Sequence, residues 1–146
     1  MNIILLVAGG DIGGGKTHIL SLAKRLSDTN DVLLLSLRSG VLTEEAQQMG
    51  LTVRISQNGW RVKKDIASLL SAIDSFRPDV IHCHGAKANM FGALLKLFRR
   101  VPVITTVHSD PKLDYMGAPH KQYTYGLINE LALKCMDFYM AVADRM

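Results

Sequence analysis

Six short apolar runs, separated by stretches with helical spacing, constrain this chain more than any other feature. The runs are Ile3 to Val7, Asp31 to Leu37, Leu51 to Ile55, Asp79 to His84, Val101 to Val107 and Asp137 to Val142. They are apolar on both faces, as strands covered on both sides must be. Helical spacing fills the intervals. Thr17 to Leu26 puts Ile19, Leu22, Ala23 and Leu26 on one stripe, and Thr43 to Gln48 is a short helix that Gly50 can terminate. Lys63 to Phe76 repeats the pattern with Ile66, Leu69, Leu70 and Ile73, and Ala88 to Phe98 and His120 to Cys135 complete the set. Such alternation predicts one parallel sheet with right-handed crossovers, a doubly wound, Rossmann-like α/β domain over residues 1–146. Ligands of these sheets bind beyond the carboxyl ends of the strands, near the point where strand order reverses. That directs attention to residues 9–16, 84–88 and 108–118.

The chain has 146 residues, 48% hydrophobic and 21% charged, enough to bury roughly 70% of its unfolded surface in one core. Its formal net charge of +4 falls short of the clustered charge of a nucleic-acid binder and suits an anionic substrate or surface. Cys83 and Cys135 lie in apolar segments and read as a reduced, buried pair. The N-terminus lacks the pattern of a signal peptide, and no apolar run approaches the ~20 residues of a membrane span. A cytoplasmic location follows as the expectation. The terminal Ala141-Val142-Ala143-Asp144-Arg145-Met146 reads as a strand end followed by a helix start, which predicts a fragment of a longer protein.

After the first run comes Gly10-Asp11-Ile12-Gly13-Gly14-Gly15-Lys16-Thr17, which satisfies the P-loop pattern between a strand and a helix. Consecutive glycines let backbone N–H groups approach an anion, and the helix behind them presents its positive end. Phosphate contact at Gly13, Gly14, Gly15 and Lys16 is the expectation. A P-loop NTPase or kinase is one alternative, but it needs an acid ending a neighbouring strand to hold magnesium. The second run ends Leu37-Arg38-Ser39-Gly40, the fourth ends at His84, and Asp110 lies beyond the end of the fifth. A dinucleotide fold fits less well, because Gly13-x-Gly15-x-x-His18 lacks the third glycine. A glycine turn serving only close helix packing is the structural alternative.

His82 and His84 share one face of the fourth strand. His82 reads as a satisfied core histidine, and His84 stands at the ligand edge. Nothing in the spacing requires a metal, and none is expected. His108 opens the polar segment Ser109-Asp110-Pro111-Lys112-Leu113-Asp114-Tyr115, too rich in functional groups for a simple connection. Trp60-Arg61-Val62-Lys63-Lys64 sets an aromatic and three cations at a helix start. Cations there oppose the helix dipole, so local stability does not explain them. Contact of Trp60, Arg61, Lys63 and Lys64 with an anionic membrane is one expectation, and a solvated charged face is the other. A membrane-surface binding module is thus a second, non-enzymatic alternative.

Four segments in order resemble the N-terminal domain of GT-B glycosyltransferases of the retaining family 4. They are Ile4 to Gly15 running into His18-Ile19-Leu20-Ser21-Leu22-Ala23, then Arg77-Pro78-Asp79-Val80-Ile81-His82-Cys83-His84-Gly85, then Val101 to His108, and finally Ala141 to Met146. The resemblance implies the acceptor-side half of a two-domain hexosyltransferase. Its other half would bind the nucleotide sugar and carry a paired-glutamate motif, which is absent from this sequence. Gly13, Gly14 and Gly15 would lie against the donor diphosphate, with Lys16 adding charge in a departure from the usual family loop. His108 would face the donor sugar at the reaction centre, and Asp11, His84, Asp110 and Tyr115 would line the acceptor side. The resemblance also implies no metal or other cofactor, a glycan or lipid-linked acceptor in polysaccharide biosynthesis, no nucleic-acid partner, and peripheral contact with the inner face of the membrane. The chain alone is expected to lack transferase activity.

Overall fold

The computed structural model describes residues 1–9, 14–56, 61–107 and 119–141. The expected alternation is present in full. In chain order the elements are β1 (Asn2–Val7), α1 (Gly14–Ser27), β2 (Asp31–Ser36), α2 (Val41–Gln48), β3 (Thr52–Ile55), α3 (Val62–Phe76), β4 (Val80–His84), α4 (Ala86–Lys96), β5 (Val103–Val107), α5 (Pro119–Lys134) and β6 (Phe138–Ala141). The six strands form one all-parallel sheet in the order β3-β2-β1-β4-β5-β6. Strand order reverses between β1 and β4, so the crevice of a doubly wound fold opens at their carboxyl ends.

Alternation along β1 divides the core. Ile3, Leu5 and Val7 join Val32 and Leu34 of β2 under Ile19, Leu20 and Ala23 of α1 and Leu42 and Ala46 of α2. Ile4 and Leu6 face the other way, with Leu33, Leu35, Ile81, Cys83 and Val103, under Leu69 and Ile73 of α3 and Phe91 and Leu95 of α4. Gly92 allows α4 to come this close. A Cβ there would stand 2.5 Å from Cys83 Sγ and 3.0 Å from Val103 Cγ1. A buried polar chain ties the next helix in. Thr105 Oγ1 donates to Asn89 Oδ1 at 2.6 Å, and Asn89 Nδ2 donates to Asn129 Oδ1 of α5 at 3.1 Å.

Several boundaries differ from the expected ones for identifiable reasons. Helix α1 starts at Gly14 rather than Thr17, so Gly14, Gly15 and Lys16 form its first turn. Helix α4 starts at Ala86, capped by Gly85 at φ 86°. Strand β5 starts after Pro102, which has no N–H to give the ladder; Val103 N instead donates to Asp137 Oδ2 at 2.7 Å. Cys83 is buried as expected, and burial pushes its thiol pKa up. Cys135 is exposed, because it falls in the turn after α5 with its carbonyl turned to Lys96 Nζ at 2.8 Å. The two edges of the sheet also differ. β3 carries Arg54, whereas Phe138, Tyr139 and Met140 of β6 are uncharged and exposed.

Candidate ligand site at the carboxyl edge of the sheet

The exits of β1 and β2 are locked together by glycine. Gly9 has φ 92°, and a Cβ there would collide with Arg38 O and stand 2.7 Å from Ser36 Oγ. Ser36 Oγ donates to Arg38 O at 2.6 Å, holding that carbonyl in place. A Cβ at Gly40 would stand 2.5 Å from Gly9 O. Thr43 Oγ1 accepts from Gly40 N at 2.9 Å and donates to Gly40 O at 2.8 Å, fixing the start of α2. The two backbones therefore touch, and α2 is hung at a set place beside α1.

Gly14 and Gly15 differ in kind from Gly9 and Gly40. A Cβ at either would meet nothing within 4 Å among the described residues, and neither has a positive φ. Among the described residues no neighbour packs against these two positions closely enough to exclude a side chain. They stand at the positive end of α1, which has no acid in its first turn. Lys16 follows and forms an ion pair with Glu45 of α2. Gly14, Gly15 and Lys16, three of the four residues expected to contact phosphate, form the first turn of α1, and the pairing of Lys16 with Glu45 was not suggested by sequence spacing. Gly13 lies outside the described residues.

His84 ends β4, 1% exposed, under the ring of His18 at 6.1 Å between centroids. Its ring is 4.3 Å from that of His82. His82 is 4% exposed and shares a 2.7 Å hydrogen bond between its Nε2 and Thr106 Oγ1, the satisfied core histidine expected. The parallel register aligns Val7 with His84 and His84 with Thr106, so these side chains share the face covered by α1. His84 is thus at the ligand edge but beneath its surface. Thr106, missed by sequence reading, links this cluster to the strand that leads toward His108. His108, Asp110, Tyr115, Asp11 and Trp60 lie outside the described residues.

Arg61, Lys63 and Lys64 are exposed at the start of α3. Ser56 Oγ donates to Asp65 Oδ1 at 2.6 Å, which pins that start to the exit of β3. Among the described residues no helix is long and apolar enough to cross a membrane.

A sequence profile described as Glycosyltransferase Family 4 matches residues 12–146. No curated protein sequence matches the chain. Solved structures with similar folds include HepE of Anabaena in complex with UDP and glucose, at 20% identity and TM-score 0.70, covering 92% of this chain and 35% of that one. MurG of Acinetobacter baumannii matches at 14% identity and TM-score 0.70, over 98% of this chain and 41% of that one. Sucrose-phosphate synthase of Thermosynechococcus elongatus matches at 13% identity and TM-score 0.71, over 95% and 42%. The chain therefore spans less than half the length of each of these structures. The likeness extends to the six-stranded parallel sheet, the architecture of a GT-B domain.

Proposed function

The chain belongs to glycosyltransferase family 4, and from that premise we propose that it forms the acceptor-side wall of an enzyme cleft that moves a sugar from a nucleotide-sugar donor to a glycan or lipid-linked acceptor. In this reading the transfer is a hexosyl transfer with retention of configuration, in polysaccharide biosynthesis at the cytoplasmic face. HepE, of similar fold, is described in complex with UDP and glucose, which supports a uridine nucleotide sugar as the donor class. The turnover step needs a second wall for the nucleotide, so the 146-residue chain alone is expected to be inactive.

The observation that carries the reading is the pair Gly14–Gly15. Glycine in a helix costs about 1 kcal/mol relative to alanine, and among the described residues no atom stands within 4 Å of a Cβ at either position. That open space would let a ligand come close to the backbone. As the bond between the sugar and the diphosphate breaks, the leaving diphosphate gains negative charge. Fixed N–H groups at the start of α1 stabilise that charge without reorganising. Lys16 adds a cation, shared in the free chain with Glu45. His108 would face the donor sugar, and Asp11, His84, Asp110 and Tyr115 would line the acceptor side. His84, buried in the free chain, would act there from beneath the surface.

The test is an NMR titration of the chain with UDP. Amide shifts are expected at Gly14, Gly15 and Lys16 and not at the amino ends of the strands. The Gly14→Ala/Gly15→Ala variant should keep its fold and lose the response by roughly tenfold in affinity. A wild-type chain whose amides ignore UDP but respond to magnesium-ATP would restore the P-loop NTPase alternative and reject this one.

A further inference from the structure

The segment Gly10 to Thr17 has the P-loop pattern, and in a P-loop the lysine reaches the outer phosphates of a nucleoside triphosphate. In this fold that lysine is held by a carboxylate instead. Lys16 stands in the first turn of α1, and its Nζ donates to Glu45 Oε1 of α2. Their side chains are 21% and 38% exposed, so both charges are within reach of solvent at the carboxyl edge. The pairing is set by the tertiary structure. The Gly9–Gly40 contact and the two bonds between Thr43 and Gly40 fix the start of α2. Leu42 and Ala46 then enter the core, and Glu45 lies beside that buried stripe. Glu44, one residue earlier, is exposed and forms no ion pair among the described residues.

An ion pair this exposed contributes little to stability. Its effect falls on the charge that a ligand meets. Phosphate ligands differ most in that property. The diphosphate bridge of a nucleotide sugar carries about two negative charges and a free nucleoside triphosphate about four, because a terminal phosphate titrates near pH 6. A lysine without a counter-ion favours the more charged ligand, whereas a lysine cancelled by a carboxylate gives it no advantage.

Resting on the proposed transferase reading, we infer that Glu45 is a specificity-determining residue of the same site: by neutralising Lys16 it suits the start of α1 to the diphosphate of a nucleotide sugar and disfavours free nucleoside triphosphates. With the pair formed, the helix end offers its partial charge of roughly half a unit, which matches a ligand of low charge. A triphosphate brings its additional anionic charge against the Glu45 carboxylate. The segment thereby satisfies a P-loop pattern without the nucleotide preference of a P-loop.

The experiment titrates the whole chain with UDP-glucose and with UTP, both without magnesium, and follows the Gly14 and Gly15 amides by NMR. The parent should bind UDP-glucose at least as tightly as UTP. Glu45→Gln should tighten UTP roughly tenfold and UDP-glucose less than about threefold. Lys16→Gln leaves the carboxylate alone and should weaken UTP more than UDP-glucose. In Lys16→Gln/Glu45→Gln the ratio of the two affinities should return to within about threefold of the parent's, because the pair acts as a neutral unit. Glu44→Gln removes the same charge from the neighbouring position and should change the ratio less than about twofold. Circular dichroism verifies that each variant is folded. Equal tightening of both ligands in Glu45→Gln overturns the inference, as does an equal effect of Glu44→Gln. UDP-glucose shifts at Gly14 and Gly15 with an unaltered ratio in Glu45→Gln would sink this inference alone. Binding of UTP that Glu45→Gln tightens, with no response to UDP-glucose, retains the role of Glu45 and sinks the transferase reading instead. Silence of both amides toward both ligands, in the parent and in Glu45→Gln, refutes the two together.

Discussion

Replacing Gly92 with alanine sets two well-measured effects against each other. Glycine inside a helix is worse than alanine by about 1 kcal/mol, so an unburied position in α4 would gain stability. At Gly92 the new methyl would lie 2.5 Å from Cys83 Sγ and 3.0 Å from Val103 Cγ1. The first is more than 1 Å inside ordinary contact, and neither neighbour can swing away. Cys83 and Val103 are wholly buried in adjacent central strands that are held in register. Overpacking of this kind costs about 1–3 kcal/mol and exceeds the helical gain, so Gly92→Ala should be destabilised by about 1–2 kcal/mol. Urea unfolding followed by circular dichroism should show a lower midpoint at unchanged slope. Cys83→Ala alone should also destabilise, by about 1 kcal/mol, through the hole it leaves. Combined, the alanine methyl occupies the space of the lost sulfur, and the double variant should recover most of the loss, a coupling of at least about 1 kcal/mol. A Gly92→Ala protein more stable than the parent, or strictly additive losses, would refute the claim that α4 is held against the sheet by this glycine.

Gly9→Ala should be harsher, about 2–4 kcal/mol, because φ 92° and the collision with Arg38 O act together; a thermal melt within a degree of the parent's would disprove the β1–β2 junction. The Asp137 carboxyl is held below the usual range, first by the hydrogen bond from Lys96 and then by the one from Val103 N. A depressed folded pKa contributes stability above the unfolded value of about 3.9 and loses it as pH falls through the folded one. The side chain is 37% exposed, so solvent screening leaves about 0.5 kcal/mol. Asp137→Asn should therefore be less stable than the parent at pH 7, and the gap should narrow below about pH 4 in parallel melts.

The single parallel sheet was legible because strand–helix alternation leaves little else. Right-handed crossovers join six runs apolar on both faces into one covered sheet, whereas the order β3-β2-β1-β4-β5-β6 depends on which strands pair across it. His82 could be read as a core residue from its alternation with Cys83, although its partner Thr106 could not, since nothing local aligns β4 with β5. Lys16 could be placed at a ligand edge from its motif. Its pairing with Glu45 depends on how α2 hangs from the Gly9–Gly40 contact, which is a tertiary fact. Helix α1 begins three residues before Thr17: glycine is a poor helix former by propensity, but the packing of Ile19, Leu20 and Ala23 overrides that preference. Cys135 looked buried from its apolar neighbours Leu133 and Met136. A turn at the end of α5 rotates it outward, and such one-residue changes of phase are invisible to composition.

The two margins of the sheet have different fates in solution. Arg54 on β3 discourages a foreign strand from docking, since pairing there would bring a guanidinium against the newcomer. Among the described residues the opposite margin has no such gatekeeper: Phe138, Tyr139 and Met140 of β6 carry neither charge nor proline, and their strand pairs only with β5. A rim of that composition favours pairing with a further strand, so light scattering of the 146-residue chain should rise with its concentration.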